Sequence, residues 1–371
     1  MGSKPVLVYG ASGYTGRLIV EALRNYQIPF IAAGRSKARI EEAMALVPGI
    51  ETAEYEVVEV AHDVDSLSEL FKRVEVVCNS VGPFEYYGRA VVAACLEAGT
   101  HYLDTTGEIP FMDDVAKEFH DGFAAKEKVL APCTAYMYTP LEIAAHVVLE
   151  TPGIDSLEAM CFASGTPTYG STQTIFAMFQ TSDRAFFLEN NERSIWPAAR
   201  GFEVNIPGIP MSQLAHPWGG GSLPLHFEND PRVRNCRQLT AFSSRPLMEQ
   251  VVEMHQVYEA DIKHLAEEEQ QQQLKAIAES IQSGMPPREN PLIHRCTDVV
   301  EGRGGNNTSS CVIRSVMPYF TTGVLQAATA NYLIGGRQLD AGFVSACGAV
   351  GYRELLGQMQ DFGLCDVEIS A

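Results

Sequence analysis

The chain has 371 residues, 46% of them hydrophobic and 20% charged, ordinary for a globular protein and enough for two domains with well-covered cores. Its formal net charge of −19 at pH 7 argues against nucleic acid and anionic membrane as partners, and says little about a small-molecule site, which can be locally basic. The nine cysteines form no CxxC pair and no zinc spacing, so reduced thiols, no metal and a cytoplasmic setting are expected.

Val6-Leu7-Val8-Tyr9 reads as a buried strand that runs into Gly10-Ala11-Ser12-Gly13-Tyr14-Thr15-Gly16. A helix follows, with Leu18, Ile19, Ala22 and Leu23 on one face. Strand, glycine turn and helix in this order are the context of a phosphate-binding loop. Gly10 permits the tight turn, Gly13 lets the backbone approach a pyrophosphate, and Gly16 lets the helix sit close to the sheet. The free N–H groups at the helix's amino end then face the phosphates. The next strand, 28–33, ends in Gly34-Arg35-Ser36. NAD-preferring sites carry an acid there for the ribose hydroxyl, whereas a cation and a hydroxyl suit a 2′-phosphate, so NADP(H) is the expected cofactor. A solvated surface side chain is the other reading of Arg35.

Residues 38–46 read as a helix and 55–60 as a strand. Asp63 stands either near an adenine amino group or at the N-cap of a helix over 65–72. The strand 74–79 leads into Ser80-Val81-Gly82-Pro83-Phe84, a turn at the carboxyl end of a parallel strand, where it can line the nicotinamide ribose. A helix over 88–98 closes at Gly99, a short strand at 101 ends in the polar cluster Asp104 to Glu108, a helix covers 113–126, and a sixth strand covers 129–131. The alternation predicts an α/β fold, a Rossmann-type doubly wound parallel sheet.

Three blocks carry a resemblance: the turn 10–16, Gly82-Pro83-Phe84 with Tyr87-Gly88, and Gly99-Thr100-His101-Tyr102 with Asp104 and Gly107-Glu108. In order and separation they resemble the NADP-binding domain of the saccharopine dehydrogenase-like family, which includes the trans-acting enoyl reductases. Gly165-Thr166-Pro167-Thr168 with Ser171, and Gly342-Phe343-Val344-Ser345 with the helix after it, resemble that family's second-domain turn and closing segment. The resemblance implies NADPH binding by Gly10, Ser12, Gly13, Tyr14, Thr15, Gly16, Arg35, Ser36 and the turn Val81-Gly82-Pro83, with Ser80 beside it. The chain departs from the family after the sixth strand. It has Cys133-Thr134-Ala135-Tyr136-Met137-Tyr138-Thr139-Pro140 where the family often carries a Gly-Phe-Asp-Ser-type segment.

The expected organisation is an NADP-binding domain over 1–140, a substrate or oligomerisation α+β domain with a mixed sheet over 141–340, and a terminal helix over 341–371 returning to the first domain. In the second domain, 196–227 reads as a long loop, and its Trp196, Trp218, His216 and His226 are the residue types of an aromatic substrate pocket. Residues 246–283 read as one long polar helical excursion, solvent-facing around Glu267 to Gln273, with a lid or the arm of a homodimer as its other roles. Ile293 to Glu301 and Cys311 to Val316 read as a hairpin. The uncharged run from Ser315 to Gly336 reads as a buried helix rather than a membrane span, given its threonines, Gln326 and Asn331.

Hydride chemistry on NADPH needs a proton donor or an oxyanion partner. Tyr136 and Tyr138 are the leading candidates, with Tyr169 on a facing turn; packing in the core is the alternative for each. Asp104 and Glu108 read as capping or ribose-holding groups in preference to an acid–base pair. The expected activity is reduction of a C=C or C=O bond in a small or medium apolar or aromatic carbonyl compound. A saccharopine- or opine-type dehydrogenase acting on C=N, and a non-catalytic NADPH-binding protein, are the alternatives.

Overall fold

Val6–Tyr9 is buried at all four positions, as the central strand of a parallel sheet with both faces covered must be. The computed structural model describes residues 4–165, 167–281 and 284–370. Thr166, in the turn singled out above, and Gln282 and Ser283, at the end of the long helical stretch, lie outside the described residues.

In chain order the first elements are β1 (Val6–Tyr9), α1 (Tyr14–Asn25), β2 (Phe30–Gly34), α2 (Lys37–Met44), β3 (Tyr55–Glu59), α3 (Val64–Phe71), β4 (Val76–Asn79), α4 (Phe84–Ala98), β5 (His101–Asp104), α5 (Ile109–Ala125) and β6 (Val129–Ala131). The next group is α6 (Thr139–Val148), β7 (Ser156–Ala163), α7 (Tyr169–Ala177), β8 (Phe186–Glu189), β9 (Glu192–Ile195), β10 (Phe202–Val204), β11 (Gln213–Ala215), α8 (Ser222–Phe227), β12 (Asn235–Phe242), α9 (Arg245–Val257), α10 (Glu267–Ile281), β13 (Arg295–Gly304) and β14 (Asn307–Val316). The chain closes with α11 (Pro318–Ile334), β15 (Gly342–Phe343), α12 (Ala346–Val350), α13 (Tyr352–Asp361) and β16 (Cys365–Ser370).

The chain divides into two compact units. The first holds residues 1–106, 111–139 and 319–363. Its sheet has the order β15-β6-β5-β4-β1-β2-β3 with every pair parallel, the doubly wound arrangement expected. The strand order reverses beside β1, which places the turns after β1 and β4 at the switch point. The expected boundaries place residues 319–340 in the second domain and all of 341–371 with the first; in the structure α11 belongs to the first unit, and the chain's end, from 364, belongs to the second, where β16 joins the sheet edge beside β14. The reason for α11 is a close approach: a Cβ at Gly323 would lie 2.5 Å from the Leu18 carbonyl oxygen, so α11 packs directly on the backbone of α1. Among the described residues no helix is long and apolar enough to cross a membrane. The polar residues of α11 are used inside the unit. Gln326 Nε2 donates to the carbonyls of Asp104 and Thr134, at 2.7 and 2.8 Å.

The second unit holds 107–110, 140–318 and 364–371. Its sheet has the order β16-β14-β13-β7-β12-β8-β9 and is mixed, with β7 and β12 parallel and the other pairs antiparallel. Two expectations change here. The stretch 196–227 is not an open loop: β10 and β11 form a hairpin whose Ile206 and Ala215 pack on Phe162 and Ala241, covering one face of the sheet. The stretch 246–283 is not one solvated helix. It breaks after a π-turn at Tyr258–Ile262, and α10 packs on α7 with Leu274 and Ala278 buried. Gln270, in the run read as solvent-facing, holds the break. Its amide donates to the carbonyls of Lys263 and Leu265, and its oxygen accepts from the Tyr258 hydroxyl at 2.9 Å.

Strand pairing also brings together groups that are 135 residues apart. Cys161 Sγ lies 3.4 Å from Cys296 Sγ, and Cys296 Sγ donates to Asp298 Oδ2 at 3.5 Å, all three residues being buried. Burial pushes the Asp298 carboxyl up to about 7, from an ordinary 3.8. The folded state therefore holds this proton more tightly than the unfolded chain. The stabilisation is fully present below about pH 4 and is lost as the pH rises through about 7. Asp298→Asn, which cannot ionise, is expected to be more stable than the parent at pH 8 by about 1–2 kcal/mol and to show a flatter dependence between pH 5 and 8. Urea unfolding midpoints at the two pH values check this, and parallel slopes for variant and parent would contradict it.

Candidate functional site

The glycine turn is built from backbone hydrogen bonds. Gly10 and Ala11 donate to the Ala33 carbonyl at 3.0 and 3.3 Å, and Gly13 donates to Gly10 at 2.9 Å. Gly10 has φ +87°, which only glycine adopts freely. Gly16 is set by space: a Cβ there would lie 2.3 Å from the Gly10 oxygen. The Ser80 hydroxyl donates to the carbonyls of Tyr9 and Gly10 at 3.1 and 3.3 Å, clamping the turn from the neighbouring strand. Ser80 thus supports the turn. No side chain caps the amino end of α1, and no acid stands in its first turn. An uncapped helix end beside a glycine cradle fits a pyrophosphate.

At the ends of β2 and β3, Arg35 is exposed, and Ser36 caps α2 by accepting from the Arg39 amide at 3.5 Å. Asp63 takes the capping role of its two readings: its Oδ1 accepts from the Ser66 amide at 2.8 Å, which holds the carboxyl below its usual range. Two residues that sequence reasoning missed join this end. The Tyr9 hydroxyl and His62 Nδ1 are 2.9 Å apart, their rings lie stacked at 5.9 Å, and Tyr87 meets His62 edge-on at 5.5 Å. Burial raises the Tyr9 hydroxyl and lowers the His62 imidazole, and the Arg35 charge lowers both. Tyr87 is 39% exposed, so the His62 ring that feels the Arg35 charge also has a solvent-facing aromatic neighbour.

Beyond β4 the turn Val81-Gly82-Pro83 includes a cis Gly82–Pro83 bond and leads into α4, whose N-cap is Pro83. A buried network ties this turn to the segment after β6. The Val81 amide donates to Asn79 Oδ1, Asn79 Nδ2 to the Tyr102 hydroxyl, and the Tyr102 hydroxyl to Asp104 Oδ2 at 2.7 Å. Asp104 Oδ1 accepts from the amides of Thr106 and Cys133 at 2.9 and 2.8 Å. Asp104 is fully buried, and burial pushes its carboxyl up to about 6. It ties together two turns of the site, a role distinct from the capping or ribose-holding expected of it.

The segment that departs from the family pattern is strained. Cys133 and Met137 have φ +64° and +69°, conformations that non-glycine residues hold at a cost of order 1–3 kcal/mol each. The Tyr136 amide donates to Thr322 Oγ1 at 3.1 Å, anchoring the segment to α11. Tyr136 and Tyr138 are both buried. Tyr319 of α11 links this segment to the glycine turn, meeting Tyr14 at 5.5 Å and 82°, and Tyr136 at 5.5 Å and 60°. Tyr319 has no sequence signal, since a helix some 180 residues downstream supplies it. Tyr169 lies in the second unit and its hydroxyl donates to Glu279 at 3.1 Å.

The second unit has a small, partly enclosed pocket of its own, lined by Phe179, Trp196, His216, Trp218 and His255 among others. Three of the four aromatic residues expected to serve a pocket are in it. The fourth, His226, is set apart from it, where burial lowers its pKa and the nearby Glu142 raises it.

Fold and site together define a two-unit α/β protein whose first unit is an NADP-binding domain. Residues 6–131 match the family described as Saccharopine dehydrogenase NADP binding domain. Residues 139–370, more than half of the chain, match the Family of unknown function (DUF5938), and the protein belongs to that family. The saccharopine dehydrogenase-like oxidoreductase of Bos taurus is 32% identical over 152 residues, 37% of this chain and 35% of that protein. The trans-acting enoyl reductase of Mycobacterium leprae is 35% identical over 123 residues, 32% of this chain and 29% of that protein. The chain thus spans about a third of the length of the curated relatives it matches. The apo saccharopine dehydrogenase (L-Glu forming) of Saccharomyces cerevisiae superposes with a TM-score of 0.63 over 99% of this chain and all of that one, at 12% identity, a likeness of fold alone.

Proposed function

We propose that the protein is an NADPH-dependent oxidoreductase that delivers hydride to a C=C or C=O bond of a small or medium, apolar or aromatic carbonyl compound. The cofactor would supply the hydride, held by the uncapped end of α1, the turn 10–16, Arg35 and the turn 81–83. Tyr136 and Tyr138 are the proposed proton donors, with Tyr169, already engaged by Glu279, as the third candidate.

The observation that carries the substrate class is the pocket of the second unit. Among the described residues its lining contains no Lys, Arg, Asp or Glu. A substrate with two or more carboxylates needs cations, and four arginines of this unit are held in ion pairs with carboxylates of the chain itself. Arg193 pairs with Glu228, Arg232 with Asp230, Arg237 with Glu189, and Arg245 with Glu203 and Glu249. A cytoplasmic setting is part of the proposal, supported by nine free thiols, eight of them buried.

NADPH oxidation measured with an enone, an aromatic ketone, and a 2-oxo acid with an amine tests this reading. Turnover with the enone or the ketone is expected, and Tyr136→Phe or Tyr138→Phe should lower kcat by roughly 100-fold with little change in NADPH affinity. Turnover only with the oxo acid and amine would replace the proposal with a C=N dehydrogenase. NADPH binding with no turnover at all would leave a non-catalytic binding protein.

A further inference from the structure

The pocket of the second unit holds two unused donors, and a chain of hydrogen bonds fixes one of them. The Trp218 amide donates to His216 Nδ1 at 3.0 Å, so Nδ1 is an acceptor and the proton of a neutral His216 sits on Nε2. His216 Nε2 lies 3.3 Å from His255 Nδ1, which therefore accepts, and the proton of His255 sits on its Nε2. Burial keeps both rings neutral at pH 7, lowering His216 to about 3 and His255 to about 4. Among the described residues His255 Nε2 has no hydrogen-bond partner, and the carboxylate oxygen Glu259 Oε1 is 3.8 Å away. The second donor is Trp196 Nε1, also buried and also without a partner among the described residues. Trp196 is 7% and His255 3% exposed, and both line the same pocket. Phe179 stacks on His255 at 4.4 Å and 6°, which holds the imidazole plane.

Buried polar groups are nearly always satisfied, and an unsatisfied one costs the full desolvation of that group. Two leftover donors and aromatic walls, with the Ser182 hydroxyl proton already given to Glu259, describe a complement: a flat apolar body with an oxygen that accepts. The charge of that oxygen is also constrained. Neither histidine is cationic, and Glu259 stands close to His255 Nε2, so an anion is disfavoured. We propose that this pocket binds a compact, uncharged aromatic compound through a carbonyl oxygen that accepts from His255 Nε2–H and Trp196 Nε1–H. Calling that compound the substrate rests on the reductase reading; the binding site itself does not.

Calorimetric titration of the full chain without NADPH compares three probes: benzylideneacetone, propenylbenzene, which lacks the carbonyl, and cinnamate, which carries a negative charge. The only two tryptophans of the chain, Trp196 and Trp218, both line the pocket, so their emission reports where a probe binds. Benzylideneacetone is expected to bind and change that emission, with the other two at least about fivefold weaker. Trp196→Phe keeps a six-membered aromatic ring in place of the indole and removes the donor. It should bring the ketone close to the hydrocarbon and leave the hydrocarbon unchanged. Equal affinities for ketone and hydrocarbon, binding without any tryptophan response, or no binding of any probe would overturn the inference. Ketone binding without NADPH consumption would leave this site standing and remove the reductase reading. Consumption of NADPH without a tryptophan response would do the reverse.

Discussion

Gly16→Ala is expected to destabilise the first unit by about 3 kcal/mol and to abolish tight NADPH binding. The new Cβ would stand 2.3 Å from the Gly10 oxygen and 2.9 Å from the Ala11 Cα, both of them backbone atoms. Neither can move cheaply. Gly10 is tied through its N–H to Ala33 and through its oxygen to the Ser80 hydroxyl and the Gly13 amide. Relief therefore requires α1 to lift from the turn, which disturbs Leu18, Ile19 and Leu23 in the core and misdirects the amides at the helix end. Gly13→Ala is the control. Its Cβ would meet only the Gly10 oxygen at 3.2 Å, so the fold should survive while the path of a phosphate narrows. Urea unfolding and calorimetric titration with NADPH separate the two effects. A Gly16→Ala protein with parental stability and affinity would show that the close approach is not what the turn depends on.

Arg35→Ala is expected to raise the NADPH dissociation constant by ~10-fold or more and to leave NADH nearly unchanged, because the lost partner of the guanidinium is the 2′-phosphate alone. The local structure sharpens this test. Glu59 accepts from the Lys37 amide at 2.7 Å, so a carboxylate stands near the same turn. If that carboxylate rather than Arg35 decides the choice, Arg35→Ala weakens both cofactors equally. Such an equal loss would overturn the assignment of Arg35 to the phosphate.

The turn 10–16, the alternation of strands and helices, and the cation after β2 were legible in the sequence because each depends on neighbours in the chain. A glycine spacing, an apolar run and a cap are local properties. Asp63 marks the limit of that reading. Cap and ligand use the same carboxylate at the same spacing, and only the Ser66 amide at 2.8 Å shows that the cap is made. The polar run around Gln270 is ambiguous for a related cause: a glutamine that satisfies a broken helix from within looks, in sequence, like one facing water.

What the amino-acid order determined by itself was the nucleotide-binding half: its strands, its glycine turn and its parallel sheet. Tertiary structure alone decided that α11 joins this half and brings Tyr319 between Tyr14 and Tyr136. It also decided that Trp196, His216 and His255 share one pocket, and that Cys161 meets Cys296. The physical reason is common to all three. These contacts join residues tens to hundreds of positions apart, and what sets them is which faces must leave water together, a condition that no local pattern records.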